Sequence, residues 1–264
     1  MSKAFSLVEL SIVLVILGLL TGGILGGQAL IRAAEIRTIT NEYGRYVAAV
    51  QTFRDKYLAV PGDMTNATQF WGAAGVPADC PTTLGTGTQT CNGDGDGRVQ
   101  PNNEMYRFWQ QLANAGLIEG SYTGIQAVAG QTYSLVAGSN VPMSRMATGA
   151  WATRSSSTVP EDTQMFTIDY IGNSLNIGTP SAVVNNSWVR EALLKPEEAW
   201  GVDKKIDDAK PGRGSVVIRG RAGWNNAGGT LPRCTLAQST NDIDADYMLS
   251  ESGKQCALIF MNAF

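Results

Sequence analysis

The sequence contains no histidine, and this absence removes whole classes of catalytic and metal site. A Ser-His-Asp or Cys-His catalytic set needs a histidine, and so does every His-ligated metal site. The commonest general base in enzymes is therefore missing. Charged residues make up only 16% of the 264 residues, and the scattered Lys and Arg leave a formal net charge of −3. We therefore expect neither an enzyme nor a nucleic-acid-binding protein.

Cysteine is also scarce, and its spacing argues against a zinc or thioredoxin-like site. The four cysteines, Cys80, Cys91, Cys234 and Cys256, form no Cys-x-x-Cys pair. More than one disulfide connectivity is open to them, and proximity along the chain favours 80–91 and 234–256. Disulfides form outside the cytoplasm, so we expect the soluble part of the chain to be extracytoplasmic.

A long apolar run near the N-terminus predicts a membrane span. Leu10–Ile31 comprises 22 residues without a formal charge, bounded by Glu9 and Arg32. As a helix it would reach about 33 Å, which exceeds a hydrocarbon core of about 30 Å. A secretory signal peptide has a shorter apolar region with a small residue after it, whereas Ala4 precedes this run. Cleavage at Ala4 would leave the span on the mature chain.

Glu9 is the single acidic residue at the start of this run. A charged side chain inside a membrane span costs roughly 2.5–3.5 kcal/mol, which a simple anchor has no reason to accept. One explanation is that Glu9 pairs with another group in the bilayer, because a buried ion pair is tolerated where a lone charge is not. The alternative is a Glu that reaches the interface at the edge of an ordinary anchor.

The segment Met1-Ser-Lys-Ala4, followed by Phe5-Ser-Leu-Val-Glu9-Leu, resembles the N-terminus of type IV pilins and type II secretion pseudopilins. The resemblance implies that a prepilin peptidase removes residues 1–4 and methylates the new amino group of Phe5. It further implies that Glu9 pairs with the Phe5 amine of a neighbouring subunit during filament assembly. The family usually has Gly before the cut, so we expect Ala4→Gly to accelerate processing.

Glycines recur within the span. Gly18, Gly22 and Gly26 lie four residues apart, and Gly23 and Gly27 repeat the spacing. Small residues on one stripe let helices approach closely in lipid, while glycine also weakens a helix by up to about 1 kcal/mol per residue. Pilin helices pack in a filament core and often lose helical order in this stretch, where the family usually has a Pro. Paired glycines could substitute for it; the alternative is a plain dimerising anchor.

A helical pattern continues beyond the membrane. Apolar residues recur at three- and four-residue steps in one stripe, comprising Ile39, Tyr43, Tyr46, Val47, Val50, Phe53 and Tyr57. Charged residues, among them Glu42, fall largely off this stripe. Pro61-Gly62 ends the pattern. The sequence thus predicts one helix from about Phe5 to Leu58, half in lipid and half packed on a head.

The remainder reads as an α+β head with a mainly antiparallel sheet. Helical spacing covers Met105–Ala115, and a short helix is expected at Glu197–Lys205 with Pro196 in its first turn. Strand-like composition marks Gln131–Val136, Met165–Ile171, Ser215–Arg219 and Cys256–Met261. Ser139–Pro160 gives no clear signal. The expected organisation is a leader (1–4), a membrane or filament-core helix (5–31), its amphipathic continuation (32–60) and the head (61–264).

One loop in the head has the composition of a calcium site. Calcium takes six to eight oxygen ligands from a chain that turns sharply, and Gly97 supplies the turn. The EF-hand pattern is matched in part, because its last acidic ligand falls one place late. The candidate ligands are Asn92, Asp94, Asp96, the Arg98 carbonyl and Glu104. The alternative is a surface turn rich in Gly and Asp for backbone reasons alone.

Further segments resemble bacterial prepilin-type proteins with a larger head. They are Pro61-Gly-Asp-Met64, Phe70-Trp-Gly72, Phe108-Trp-Gln-Gln-Leu112 and the Gly/Asp loop between them. Asp203, Asp207 and Asp208 lie in a segment that is also similar to pilin-like heads. These three carboxylates could form a second cation site, but we expect a solvated helix end instead.

These observations together indicate a structural subunit: a pilin, minor pilin or pseudopilin. Its expected partners are further copies of itself, other pilins or pseudopilins, the prepilin peptidase and the bacterial inner membrane. We expect it in that membrane before assembly and in a periplasmic or extracellular filament afterwards. The alternative is a membrane-anchored or pilus-tip calcium-dependent binding protein or adhesin. A tethered hydrolase is a third option, which lacks a histidine and a convincing carboxylate pair.

Overall fold

The computed structural model describes the fold of most of the chain. The described residues are 6–75, 83–101, 104–126, 134–146, 148–156, 166, 172–180, 189–219, 234–237 and 241–264. Its helices are α1 (Leu7–Tyr57), α2 (Ala67–Trp71), α3 (Glu104–Asn114) and α4 (Pro196–Ile206). Its strands are β1 (Ala150–Ser156), β2 (Gly172–Pro180), β3 (Val189–Glu191), β4 (Val216–Arg219) and β5 (Ala257–Phe260).

Helix α1 begins and ends at residues that satisfy its terminal backbone groups. Ser6 is the N-cap: its side chain accepts a hydrogen bond from the Val8 amide, and its own amide donates to Glu9 Oε2 at 2.9 Å. This reciprocal pair is a capping box, which satisfies two otherwise unpaired donors. Leu58 ends the helix in the left-handed conformation, with its amide bonded to the Arg54 carbonyl. The predicted helix from about Phe5 to Leu58 is confirmed over the described residues.

The two halves of α1 have different surroundings. The first half is apolar and exposed, and it makes α1 long and apolar enough to cross a membrane. An 18-residue stretch of the helix has a mean hydropathy of 2.4, and none of that stretch is buried. In the second half the predicted stripe faces the head, with Ile39, Val50 and Phe53 fully buried. The α+β layout with a long apolar N-terminal helix is therefore confirmed.

A small antiparallel sheet forms the other layer of the head. Four of the described strands lie in the order β1-β2-β5-β4, and β3 pairs with the end of β2. The edge of the Tyr46 ring packs against Trp109 of α3 at 5.0 Å and Trp151 of β1 at 5.4 Å, measured between ring centroids. Tyr43 stacks on Phe260 of β5. Aromatic side chains of α1 thus join α3 and the sheet into one core.

Two helices of the head agree closely with the sequence prediction, but the strands agree less well. Helix α3 covers the predicted Met105–Ala115 except for its last residue, and α4 covers Glu197–Lys205, whereas the short α2 was not predicted. Strands β4 and β5 fall within Ser215–Arg219 and Cys256–Met261. The prediction for Gln131–Val136 is wrong over its described residues, 134–136. Asn140 explains the difference, because its side chain accepts from the Val136 amide and donates to the Ser134 carbonyl. Met165–Ile171 lies outside the described residues except for the buried Phe166, which is not in a strand.

Three strands and the burial of Glu42 were not expected. Strand β1 lies inside Ser139–Pro160, and β2 and β3 lie in segments that the prediction left without an element. Glu42 is 5% exposed although it was placed off the buried stripe. It accepts hydrogen bonds from the Ser144 hydroxyl, the Arg145 amide and the Trp151 indole N–H, all at 2.7–2.8 Å. These three donors compensate the burial of its charge.

Candidate functional site

The glycine-rich loop folds around Asp63, a residue that precedes it by about thirty positions. Asp63 is 3% exposed, and its two carboxylate oxygens accept hydrogen bonds from the Gly95 amide at 2.6 Å and the Gly97 amide at 2.8 Å. Gly93 permits this approach, since a Cβ on it would lie 2.4 Å from the Asp63 backbone. The sequence placed Asp63 in a segment that resembles prepilin-type proteins, but it gave no signal that Asp63 is a ligand.

Three carboxylates converge in this loop. One oxygen from each of Asp63, Asp94 and Asp96 lies within 4.8 Å of the others. Asp94 and Asp96 are exposed, and each also accepts a hydrogen bond from the amide two residues further on. The Gln100 side-chain amide donates to both of them, at 2.7 and 3.3 Å. The structure therefore brings together two predicted ligands and one that was not predicted.

Glu104 lies beside this cluster and holds the loop backbone. Its carboxylate accepts from the Asp94 amide at 3.1 Å and from the Gln100 amide at 2.8 Å. Burial raises the pKa of Glu104 to about 7, and burial also raises the pKa of Asp63 to about 6. These two buried acids would each be easier to ionise beside a cation.

The remaining predicted ligands have other described contacts. Asn92 Oδ1 accepts from the Thr68 amide at 2.9 Å, in the first turn of α2. Arg98 donates its amide to Asp96 Oδ1 at 2.8 Å. The ligand roles of Asn92 and of the Arg98 carbonyl stay predictions.

A surface groove of about 660 Å³ adjoins the loop. The end of α1 and the segment after it form one wall, and Asp63, Gly95 and Gly97 form part of the other. Leu58, in the same groove, is 91% exposed. The groove is thus a concave surface with acidic and apolar parts next to the candidate cation loop.

The N-terminal site is described from Ser6 onwards. Glu9 Oε2 has a local partner in the isolated chain, the Ser6 amide. Ala4 and Phe5 lie outside the described residues, so the predicted processing and pairing there stay predictions. At Gly18, Gly22, Gly23, Gly26 and Gly27 an added Cβ would meet nothing within 4 Å in the described part of the chain.

One predicted disulfide is confirmed. Cys234 and Cys256 are bonded, with their Cα atoms 5.2 Å apart. Cys80 lies outside the described residues, so the pairing of Cys80 with Cys91 stays a prediction. The confirmed disulfide ties the segment before residue 238 to the start of β5.

The second acidic group does not form the solvated helix end that was expected. Asp203 is fully buried, Asp207 is partly buried and Asp208 is exposed. One carboxylate oxygen from each lies within 4.8 Å of the others. The expectation is therefore wrong for Asp203, which α4 turns towards the head core instead of towards solvent.

Comparison with protein-family models, with curated proteins and with solved structures found no match for the chain.

Proposed function

We propose that this chain is a structural subunit of a type IV pilus-like filament: a pilin, minor pilin or pseudopilin. The observation that carries the proposal is the division of α1, whose apolar N-terminal half is exposed while its second half is built into the head. Exposed apolar side chains over this length need lipid or other helices around them. In the proposed cycle the membrane surrounds this half before assembly, and neighbouring copies surround it in the filament.

In the proposed assembly step, Glu9 forms an ion pair with a neighbouring subunit. In a single chain its carboxylate bonds only to a local amide donor, among the described residues. In the proposed filament it accepts the ammonium of a neighbour's Phe5, which prepilin peptidase exposes by removing residues 1–4. An ion pair in a low-dielectric helix core is favourable over leaving either charge unpaired.

The pairing is tested with two variants of the same helix start. Glu9→Ala should insert normally in the inner membrane, because a lone charge is removed from the span, but should enter filaments poorly. Ser6→Ala is the matched control, since it removes the capping side chain and leaves the carboxylate in place. Quantitative immunoblots of membrane and sheared-filament fractions measure both steps. Equal filament yield from Glu9→Ala and wild type would contradict the pairing.

We further propose that the loop around Asp63 binds calcium. Three converging carboxylate oxygens suit a hard cation, and the two exposed carboxylates repel each other without one. Millimolar calcium should stabilise the head by about 2.7 kcal/mol when the free ion is 100 times the dissociation constant. Magnesium should do less because it demands stricter geometry.

Thermal denaturation of the full chain in detergent, with calcium or with chelator, checks this site. Asp94→Ala combined with Asp96→Ala should lower the calcium response, and Asp63→Asn should do the same by removing the unpredicted ligand. Asp55→Asn, which lines the same groove outside the cluster, should keep it. An identical melting temperature of the unaltered chain in calcium and in chelator would show that the loop is a turn only.

The groove beside this loop favours one second candidate, a membrane-anchored or pilus-tip binding protein whose ligand contacts the calcium loop. Abundance separates the two functions. A major subunit should dominate sheared filaments, whereas a tip protein should be rare in them.

A further inference from the structure

The C-terminal end of α4 presents a second carboxylate cluster, remote in sequence from the first. Asp203 and Asp207 lie four residues apart, on the same side of the helix, and the Asp207 amide donates to the Asp203 carbonyl at 2.6 Å. The chain leaves the helix at Asp207, whose φ of −142° and ψ of −137° are not helical, and Ala209 then adopts the left-handed conformation. Asp208 lies between these two residues, and one oxygen of each carboxylate lies within 4.8 Å of the other two.

Asp203 has a buried oxygen that the protein does not satisfy. Its side chain is 0% exposed, and Oδ2 accepts a hydrogen bond from the Tyr247 hydroxyl at 2.7 Å. Oδ1 accepts no hydrogen bond within the part of the chain that the structure describes. The Ala209 amide favours the charged form of this carboxylate without reaching hydrogen-bond geometry at Oδ1. A buried carboxylate oxygen in this position is satisfied by a proton, an ordered water or a cation.

The nearby basic side chains bond either to Asp208, at the exposed side of the cluster, or to groups outside the cluster. Arg213 bonds to Asp208 at 2.8 Å and to Asp244, and Lys210 bonds to Asp246 at 2.7 Å. Lys204 lies over the Trp200 ring, and Lys205 contacts Thr40. No Lys or Arg side chain among the described residues makes a salt bridge with Asp203 or Asp207.

The charge balance favours a metal ion over a proton. Asp207 accepts hydrogen bonds from the amides of Ser215 and Val216, and Asp203 accepts one from the Tyr247 hydroxyl. Among the described residues Arg213 is the cation bonded to this cluster, through Asp208, and Asp244 shares it. A single proton on Asp203 would therefore leave Asp207 and Asp208 with one shared positive charge. A divalent cation would offset the repulsion among all three.

We propose that Asp203, Asp207 and Asp208 bind a divalent cation of the calcium class, with Asp203 Oδ1 as its buried ligand. Asp207 and Asp208 close the site from the partly exposed side, and Asp208 remains shared with Arg213. Through the Tyr247–Asp203 hydrogen bond, the ion joins the end of α4 to the segment 241–250. The site is distinct from the loop around Asp63 and does not depend on the filament function.

The test measures calcium-dependent stability of the full chain in detergent, in the Asp94→Ala, Asp96→Ala background that removes the first site. Saturating calcium should raise the melting temperature of this parent by roughly 5 °C. Adding Asp203→Asn should abolish the rise, because Asn keeps the size and can still accept from Tyr247 but offers no negative charge. Asp246→Asn is the matched control, since it removes a neighbouring charge outside the cluster, and it should keep the rise.

Several results would overturn the proposal. One is an identical melting temperature of the Asp94→Ala, Asp96→Ala parent in calcium and in chelator. If adding Asp203→Asn to that parent then increases its stability above about pH 7, the buried oxygen carries a proton instead of binding a cation. Another is an equal calcium response with and without Asp203→Asn.

If the parent background does not fold, equilibrium dialysis on the otherwise wild-type chain should show one calcium fewer for Asp203→Asn. If Asp203→Asn does not fold, the exposed Asp208→Asn should weaken calcium binding about tenfold, and unchanged affinity would overturn the proposal.

Discussion

Glu42 shows how a single residue connects the long helix to the head. It lies on α1, yet its carboxylate bonds to the segment before β1 and to Trp151 within β1. The Ser144 hydroxyl and the Trp151 indole N–H would be buried without this acceptor if the carboxylate were removed, and the partly buried Arg145 amide would lose it too. The residue therefore fixes the rotation of α1 relative to the sheet as well as contributing to stability.

We predict that Glu42→Ala lowers the free energy of unfolding by about 3 kcal/mol, because two buried donors and one partly buried donor lose their acceptor. Glu42→Gln should cost less, since its amide oxygen can still accept. Asn41→Ala, the exposed neighbour on the same helix, is the control and should change little. Urea denaturation of the full chain in detergent measures all three. A cost of Glu42→Ala no greater than that of Asn41→Ala would contradict this role.

The candidate cation loop shows which site residues a sequence pattern can supply. Asp94 and Asp96 were predicted because they alternate with glycines in one segment, and Glu104 because it lies one place after the last acidic position of the EF-hand pattern. Asp63 was not, because its contribution depends on how the chain after α1 folds back onto that loop. Asp203 was misjudged for the same reason: local spacing places it at a helix end, and only tertiary packing buries it.

At the scale of elements, α4 is attached to α1 by one ion pair next to the apolar half. Arg32 and Glu198 bond through two pairs of atoms, at 2.5 and 2.6 Å, and Glu198 also accepts from the Lys195 amide in a capping arrangement. Burial is the largest single influence and opposes ionisation of Glu198. The hydrogen bonds from Arg32 and from the Lys195 amide, together with the charges of these two residues, outweigh burial and lower the pKa of Glu198 below its ordinary value. The head is thereby held at the boundary of the proposed membrane segment.

We predict that Glu198→Gln destabilises the protein by about 1–2 kcal/mol near neutral pH, while the adjacent, exposed Glu197→Gln is nearly neutral. Because the folded-state pKa of Glu198 is lowered, the stability from the ion pair is present above the unfolded value. It is lost as the pH falls through the folded value. Denaturation of wild type and variants across the acid range should show the Glu198→Gln difference vanish towards low pH. A pH-independent difference would contradict the ion-pair explanation.

Gly62 controls how the head begins after α1. Its φ is +86°, and a Cβ there would lie 2.4 Å from the Glu104 carbonyl and 2.9 Å from the Phe108 amide nitrogen. Gly87 also has a positive φ, of +64°, but a Cβ there would meet nothing within 4 Å. Substitution of Gly87 therefore tests the cost of the backbone conformation alone, whereas substitution of Gly62 adds the cost of a steric clash.

We predict that Gly87→Ala costs about 1 kcal/mol, from the backbone conformation alone. Gly62→Ala should cost at least about 3 kcal/mol, because the added methyl also forces α3 away from the chain. Thermal or urea denaturation measures the difference. Equal costs would show that α3 does not pack as closely on residue 62 as described.

The strands show where sequence patterns fail at this scale. Strand β2 contains Gly172, Gly178 and Pro180, residues that usually mark turns, yet it lies between β1 and β5 in the sheet. Strand β1 is rich in Ala, Ser and Thr and gives no strong alternation. Tertiary pairing decides these segments, whereas the strongly periodic helices α1, α3 and α4 were predictable within one or two residues.

At the scale of the whole molecule, the head is closed near its C-terminus by a covalent link. The Cys234–Cys256 disulfide spans 22 residues and joins the start of β5 to a segment that also pairs with Tyr247. Such a link restricts the unfolded chain more than the folded one. It is also consistent with a head that lies outside the cytoplasm.

We predict that Cys234→Ser together with Cys256→Ser lowers the stability of the protein by about 3 kcal/mol in the chain-entropy description. Denaturation of the double variant in oxidising buffer, beside the wild type, measures this loss. The variant should match wild-type protein treated with a reductant that opens only this bond. An unchanged stability would show that the link adds no constraint beyond the packing of β5.

The proposal that this chain is a processed subunit of an extracytoplasmic filament is tested most directly by intact-mass spectrometry of filaments sheared from cells that produce it. We expect a subunit that begins at Phe5, carries an N-methyl group and retains the whole of α1. A chain that keeps Met1–Ala4 and remains in the membrane fraction, absent from every sheared filament, would contradict it.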